Sequence, residues 1–153
     1  MSFRLFIDNL EHNISIKYPT TWEKKIAELD TIVAFLSPIE HKLDLFRENL
    51  TIMIKNIFIS PENFKEYINF QVDQLKDAIL DFELIKKKKD KLSNQPAYTI
   101  IYTGRRRDFN IKIMQNYILK KKKIYLLSYT AENDKYDLYF KMIKKMIKSF
   151  SFL

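Results

Sequence analysis

Residues 97–129 read AYTIIYTGRRRDFNIKIMQNYILKKKKIYLLSY, and this stretch decides the fold. Ile, Tyr, Thr and Phe crowd into 97–103, 109–119 and 124–129, and the breaks between these runs are short and basic. Such residues suit a pleated, half-buried surface. Short connections suit antiparallel neighbours, because parallel strands need a long crossover. The stretch predicts an antiparallel meander, preceded by a strand at 82–85 and a polar connection at 86–95.

Outward from the meander, the period changes. Phe64, Ile68, Val72, Leu75 and Ile79 recur at steps of four and three, which lines one face of a helix near 61–80. Ser60 stands where an N-cap belongs, with Pro61 in the first helical position and Glu62 near the positive end of the dipole. Downstream, Thr130 reads as the N-cap of a last helix near 132–148. Its inner face would be Tyr136, Tyr139 or Phe140, Ile143, Ile147 and Phe150.

The N-terminal third alternates again, through Phe3, Leu5 and Ile7, then through Ile14, Ile16 and Tyr18 up to Pro19. Thr20 and Glu23 form a T-x-x-E capping box, which predicts a short helix carrying Trp22, Ile26 and Leu29. A strand at 32–36 stops at Ser37 and Pro38, residues 39–48 are ambiguous, and Leu50, Ile52, Ile54 and Asn56 mark one face of a further strand. No repeat or linker divides the 153 residues, so a single domain over 1–153 is expected. Two long amphipathic helices and a large antiparallel sheet argue for α+β layers.

Four patterns carry a resemblance: Tyr18-Pro19-x-x-Trp22, Val33-Ala34-Phe35-Leu36-Ser37-Pro38, Phe46-Arg47-Glu48-Asn49-Leu50, and the closing Ser149-Phe150. In this order and spacing the chain resembles the PsbP-like domain of the PsbP/Mog superfamily. The resemblance implies an α+β fold with an antiparallel sheet of about six or more strands packed between helices, an α/β/α sandwich. Its plant members are accessory subunits of photosystem II, and its Mog-type members bind the small GTPase Ran. The Ran-binding branch carries an acidic, proline-containing segment; here the corresponding residues 28–33 have no proline and offer only Glu28 and Asp30. With Tyr18 and Trp22 they make the candidate protein-binding face, and a small GTPase is a partner by analogy only.

Little in the chain suggests chemistry. It has no cysteine, which removes disulfides and thiol nucleophiles, and no serine in a G-x-S-x-G elbow. Gly104 is the only glycine, whereas loops that cradle phosphate need several. His12 and His41 lie apart, and Glu40, His41 and Asp44 read as a solvated loop rather than a metal site. Glu48 and Asn49 read as side chains that tie down a strand entrance. No enzyme activity, metal or cofactor is expected.

The net charge is +8, built from 22 lysines and 5 arginines. Readers of bases and phosphates favour arginine for its bidentate fork, so the lysine excess, with abundant Ile and Asn, reads first as the composition of an AT-rich genome. The meander nevertheless gathers Lys86, Lys87, Lys88, Lys89, Lys91, Lys120, Lys121, Lys122 and Lys123 along one rim, with Arg105, Arg106 and Arg107 at the opposite end. The first residues lack an apolar signal core, so the chain as given reads as cytoplasmic, or as exported or anchored if a leader precedes it. The leading expectation is a non-catalytic accessory or interaction domain that binds a protein partner. The alternative is electrostatic docking of the lysine rim on an anionic surface, phospholipid or nucleic acid.

Overall fold

In the computed structural model, which describes residues 2–26, 30–41 and 45–153, ten strands and two α-helices alternate along the chain. The strands are β1 (Phe3–Asp8), β2 (Ile14–Pro19), β3 (Glu23–Ile26), β4 (Thr31–Leu36), β5 (Asn49–Phe58), β6 (Leu80–Leu92), β7 (Gln95–Arg106), β8 (Phe109–Lys120), β9 (Lys123–Glu132) and β10 (Ser151–Phe152). The helices are α1 (Phe64–Ala78) and α2 (Tyr136–Ser149). Among the described residues no helix is long and apolar enough to cross a membrane.

Seven strands form one antiparallel sheet in the order β3-β4-β5-β9-β8-β7-β6, and β1-β2-β10 form a smaller one. The expected meander is β6 to β9. Two of its three hairpins close on Ser93-Asn94 and Lys121-Lys122, all four at positive φ, as type I′ two-residue turns require. Period two then sorts the side chains. Ile100, Tyr102, Ile111, Ile113 and Leu126 face α1, where Phe64 and Ile68 are buried among them. Tyr125, Leu127 and Tyr129 face the opposite way, against α2 and the small sheet, with Ile143 and Met146 buried there. The large sheet is thus sandwiched between helices, as expected.

Several local expectations fail. The T-x-x-E stretch is not a helix. Residues 23–26 form β3, paired to β4 from Glu23↔Leu36 to Ile26↔Val33. Glu23 gives its carboxylate to Arg47 Nη1 at 3.1 Å instead of reaching back to Thr20. Leu29 lies outside the described residues. Thr130 is not a cap but sits in β9 opposite Asn49 and Ile113, and α2 begins six residues later with Lys135 flanking it and no side-chain cap. Ser60 precedes a single 3-10 turn at Pro61–Asn63 with Pro61 first, yet its hydroxyl makes no capping bond. Residues 86–92 are not a connection, because β6 pairs with β7 as far as Leu92↔Gln95. In β1 the buried residue is Phe6, while Leu5 and Ile7 are exposed, so the strand shows the opposite face from the expected one.

Candidate functional site

The extension of β6 changes the lysine rim. Lys86 and Lys88 sit opposite Ile101 and Thr99, and Lys87 and Lys89 sit opposite Ile100 and Tyr98. Ile100 belongs to the core under α1, whereas Ile101 packs into the core under α2. Strand alternation therefore deals the run onto two faces. Lys87 confirms its side by donating to Asn69 of α1 at 2.6 Å.

Lys120–Lys123 lie at the sheet end that also holds the Ser93-Asn94 turn, so Lys91 joins them there, while Lys86–Lys89 run up the open edge. Lys120 Nζ rests 4.3 Å over the Phe152 ring. Arg105 is at the far end, 3.7 Å from Asp81.

Of the candidate protein-binding face, Tyr18 and Trp22 are buried and Asp30 is exposed. Tyr18 and Trp22 are each only 6% exposed; Tyr18 packs 4.7 Å from Phe35 and Trp22 stands edge-on to Tyr139 at 5.7 Å. Both close the core. Asp30 is exposed, and its carbonyl accepts the Ile54 N–H at 3.0 Å. Glu28 lies outside the described residues, as does Asp44. Glu40 is committed to Lys135 and to the Tyr139 hydroxyl. Among the described residues no three His, Cys, Asp or Glu side chains are placed to hold a metal ion.

What sequence reasoning missed is a groove of about 640 Å³ where the small sheet overhangs the large one. The β1–β2 turn forms one wall, Ile26 and Ile32 another, and the end of β5 from Ile54 to Phe58 the floor and far lip. Exposed apolar side chains stand on its rim, Leu10 at 96% and Phe58 at 74% with Ile7, Ile26 and Ile57 beside them, and polar side chains line it too, among them Glu11, Asp30, Asn56 and Lys123. Asp8 organises the turn. Asp8 accepts the N–H groups of Leu10 and Glu11 at 3.2 and 3.1 Å and the His12 Nδ1 at 2.8 Å. Burial pushes the Asp8 carboxyl up, but these donors outweigh it and hold it below the ordinary carboxylate value. The contact between Asp8 and His12 thus shapes the turn. The one sequence signal was Ile57-Phe58, which continues β5 after its buried face has ended.

The PsbP family model matches residues 1–152. Among solved structures, cyanobacterial PsbP (CyanoP) from Synechocystis is 19% identical with a TM-score of 0.68, covering 99% of this chain and 93% of that one. LpqN, involved in cell envelope biogenesis of Mycobacterium tuberculosis, is 10% identical at TM-score 0.71, covering 98% and 90%. A Pseudomonas aeruginosa protein of unknown function is 13% identical at TM-score 0.68, covering 96% and 94%. A search of curated proteins finds no match. At such identities the structural likeness speaks for the fold alone.

Proposed function

The chain belongs to the PsbP family, and from that premise we propose that it is a non-catalytic interaction domain whose groove receives an apolar segment of a protein partner. The observation that carries the reading is the exposed rim of Leu10, Ile26, Ile57 and Phe58 around a concave site. Apolar side chains clustered about a concavity mark contact surfaces, whereas scattered ones do not. The fold itself is no argument for a role, since one fold hosts many. The test is capture of partners from native lysate by wild type and by Phe58→Asp and Leu10→Asp. A partner lost with both variants and kept by Lys120–Lys123→Gln supports the groove. A partner kept by both groove variants removes it.

A second reading has its own support. Lys86 and Lys88 share their side of the sheet with α2, whose Lys141, Lys144, Lys145 and Lys148 are exposed. This side would dock on an anionic phospholipid surface, with a strong dependence on salt.

A further inference from the structure

Among the described residues β6 and β1 are both open sheet edges, and their chemistry is opposite. β6 carries five lysines, and charged side chains on an edge discourage the addition of another strand. β3, the other edge of the large sheet, is four residues long, and pairing with its own copy would set Lys24 against Lys25. β1 is less guarded, with Arg4 and Asp8 its two charged side chains. It runs six residues without lysine or proline and shows Leu5 and Ile7, 54% and 49% exposed.

The direction of its backbone groups follows from the register with β2. Thr20 N–H donates to Ser2 C=O at 3.1 Å, which makes that pair a hydrogen-bonded one. By alternation Arg4, Phe6 and Asp8 turn their N–H and C=O groups to β2, and Phe3, Leu5 and Ile7 turn theirs outward. Pro19 opposite Phe3 fits this, because no N–H is needed there.

We propose that the outward edge of β1 pairs with β1 of a second copy of the chain, antiparallel about a twofold axis through Phe6. In this register Leu5 faces Ile7 of the second copy as a hydrogen-bonded pair, and Arg4 faces Asp8 of the second copy as a close non-hydrogen-bonded pair. The twofold repeats both, so the strand is complementary to itself in charge and in backbone hydrogen bonding. A slip of two residues sets Leu5 against Leu5 and Arg4 against Phe6 and loses the charge pairs. His12 and the turn amides hold Asp8 in place as the acceptor. Five paired residues on each strand, Arg4 to Asp8, make a small interface, so the dimer is reversible and depends on concentration.

Sedimentation equilibrium from about 10 µM to about 1 mM, the range where small interfaces associate, reads the prediction directly. The wild-type mass should climb toward two chains. Ile7→Pro removes an outward N–H that β2 does not use, and should stay at one chain with an unchanged melting temperature. Arg4→Glu should weaken association at least about fivefold at low salt, through a like charge opposite Asp8. The register has its own readout, because the chain lacks cysteine. A mixture of Leu5→Cys and Ile7→Cys chains should oxidise to the mixed disulfide ahead of either homodimer. A single-chain mass throughout overturns the proposal, as does an Ile7→Pro protein that still dimerises. If Ile7→Pro fails to fold, the cysteine mixture decides: no preference for the mixed disulfide sinks the pairing.

Discussion

Glu48 Oε2 accepts the backbone N–H of Glu132 at 3.1 Å, which ties the entrance of β5 to the exit of β9. Glu48 is fully buried, and its Oε1 has no partner among the described residues. Burial raises its carboxyl above the ordinary 4.5; the N–H groups of Glu132 and Glu48 itself and the charge of Lys135 pull it back without cancelling the rise.

The sign follows from which form the fold prefers. A raised carboxyl contributes stability that is fully present below the ordinary 4.5 and is lost as pH climbs through the raised value. Glu48→Gln keeps an acceptor for Glu132 and carries no charge. It should match or exceed wild type in urea midpoint near neutral pH, with the gap closing in acid. Glu48→Ala strands the Glu132 N–H and should cost about 2 kcal/mol. A Gln variant weaker than wild type at neutral pH would show that the ionised carboxylate is wanted.

Gly104 tests packing rather than charge. A Cβ there would lie 2.3 Å from Ile79 Cγ2 and 3.2 Å from the Leu80 carbonyl. Ile79 is β-branched and cannot swing that methyl clear without moving its backbone. Gly104→Ala should therefore cost about 1–3 kcal/mol. Adding Ile79→Ala should recover part of the loss, a coupling that a double-mutant cycle in urea reads. Simple addition of the two penalties would mean the helix end shifts freely.

The groove rim predicts a separation of binding from stability. Phe58 is mostly solvent-exposed, so Phe58→Asp should change unfolding by no more than about 0.5 kcal/mol. If the rim seats an apolar segment, the same change should weaken capture of a partner at least about tenfold, as a buried anchor does. Equal capture by wild type and variant ends the assignment.

Strand alternation on β6 makes the lysine reading testable by face. On vesicles of anionic phospholipid, Lys86→Gln with Lys88→Gln should weaken binding, since both share the side of α2, and Lys87→Gln with Lys89→Gln should not. Gln at Lys120–Lys123 should weaken it further, and Gln at Arg105–Arg107 should matter less. Each lysine near the surface should contribute about 1 kcal/mol at low salt. Equal losses from the two β6 pairs would mean a diffuse charge effect, and no binding at low salt would end the reading.

Periodicity along the chain was enough for the two helices, the meander and the sandwich, because each of those segments buries one face and writes it as steps of two or of three and four. Phe64, Ile68, Val72 and Leu75 meet the sheet as their spacing predicts, and Glu48 ties down its strand as its place in the sequence suggests. Where a segment buries no face there is no period to read: Lys86–Lys91 look like a loop and are a strand only because β7 offers hydrogen bonds along their length. Local capping signals at Thr20 and Thr130 lost to strand partners found far along the chain. The face shown by Leu5 and Ile7 depends on what the small sheet covers, and the groove joins residues near 10, 30 and 57, which only the folded chain brings together. Local sequence sets which segments can pair; the long-range pairing decides which edges and faces remain open.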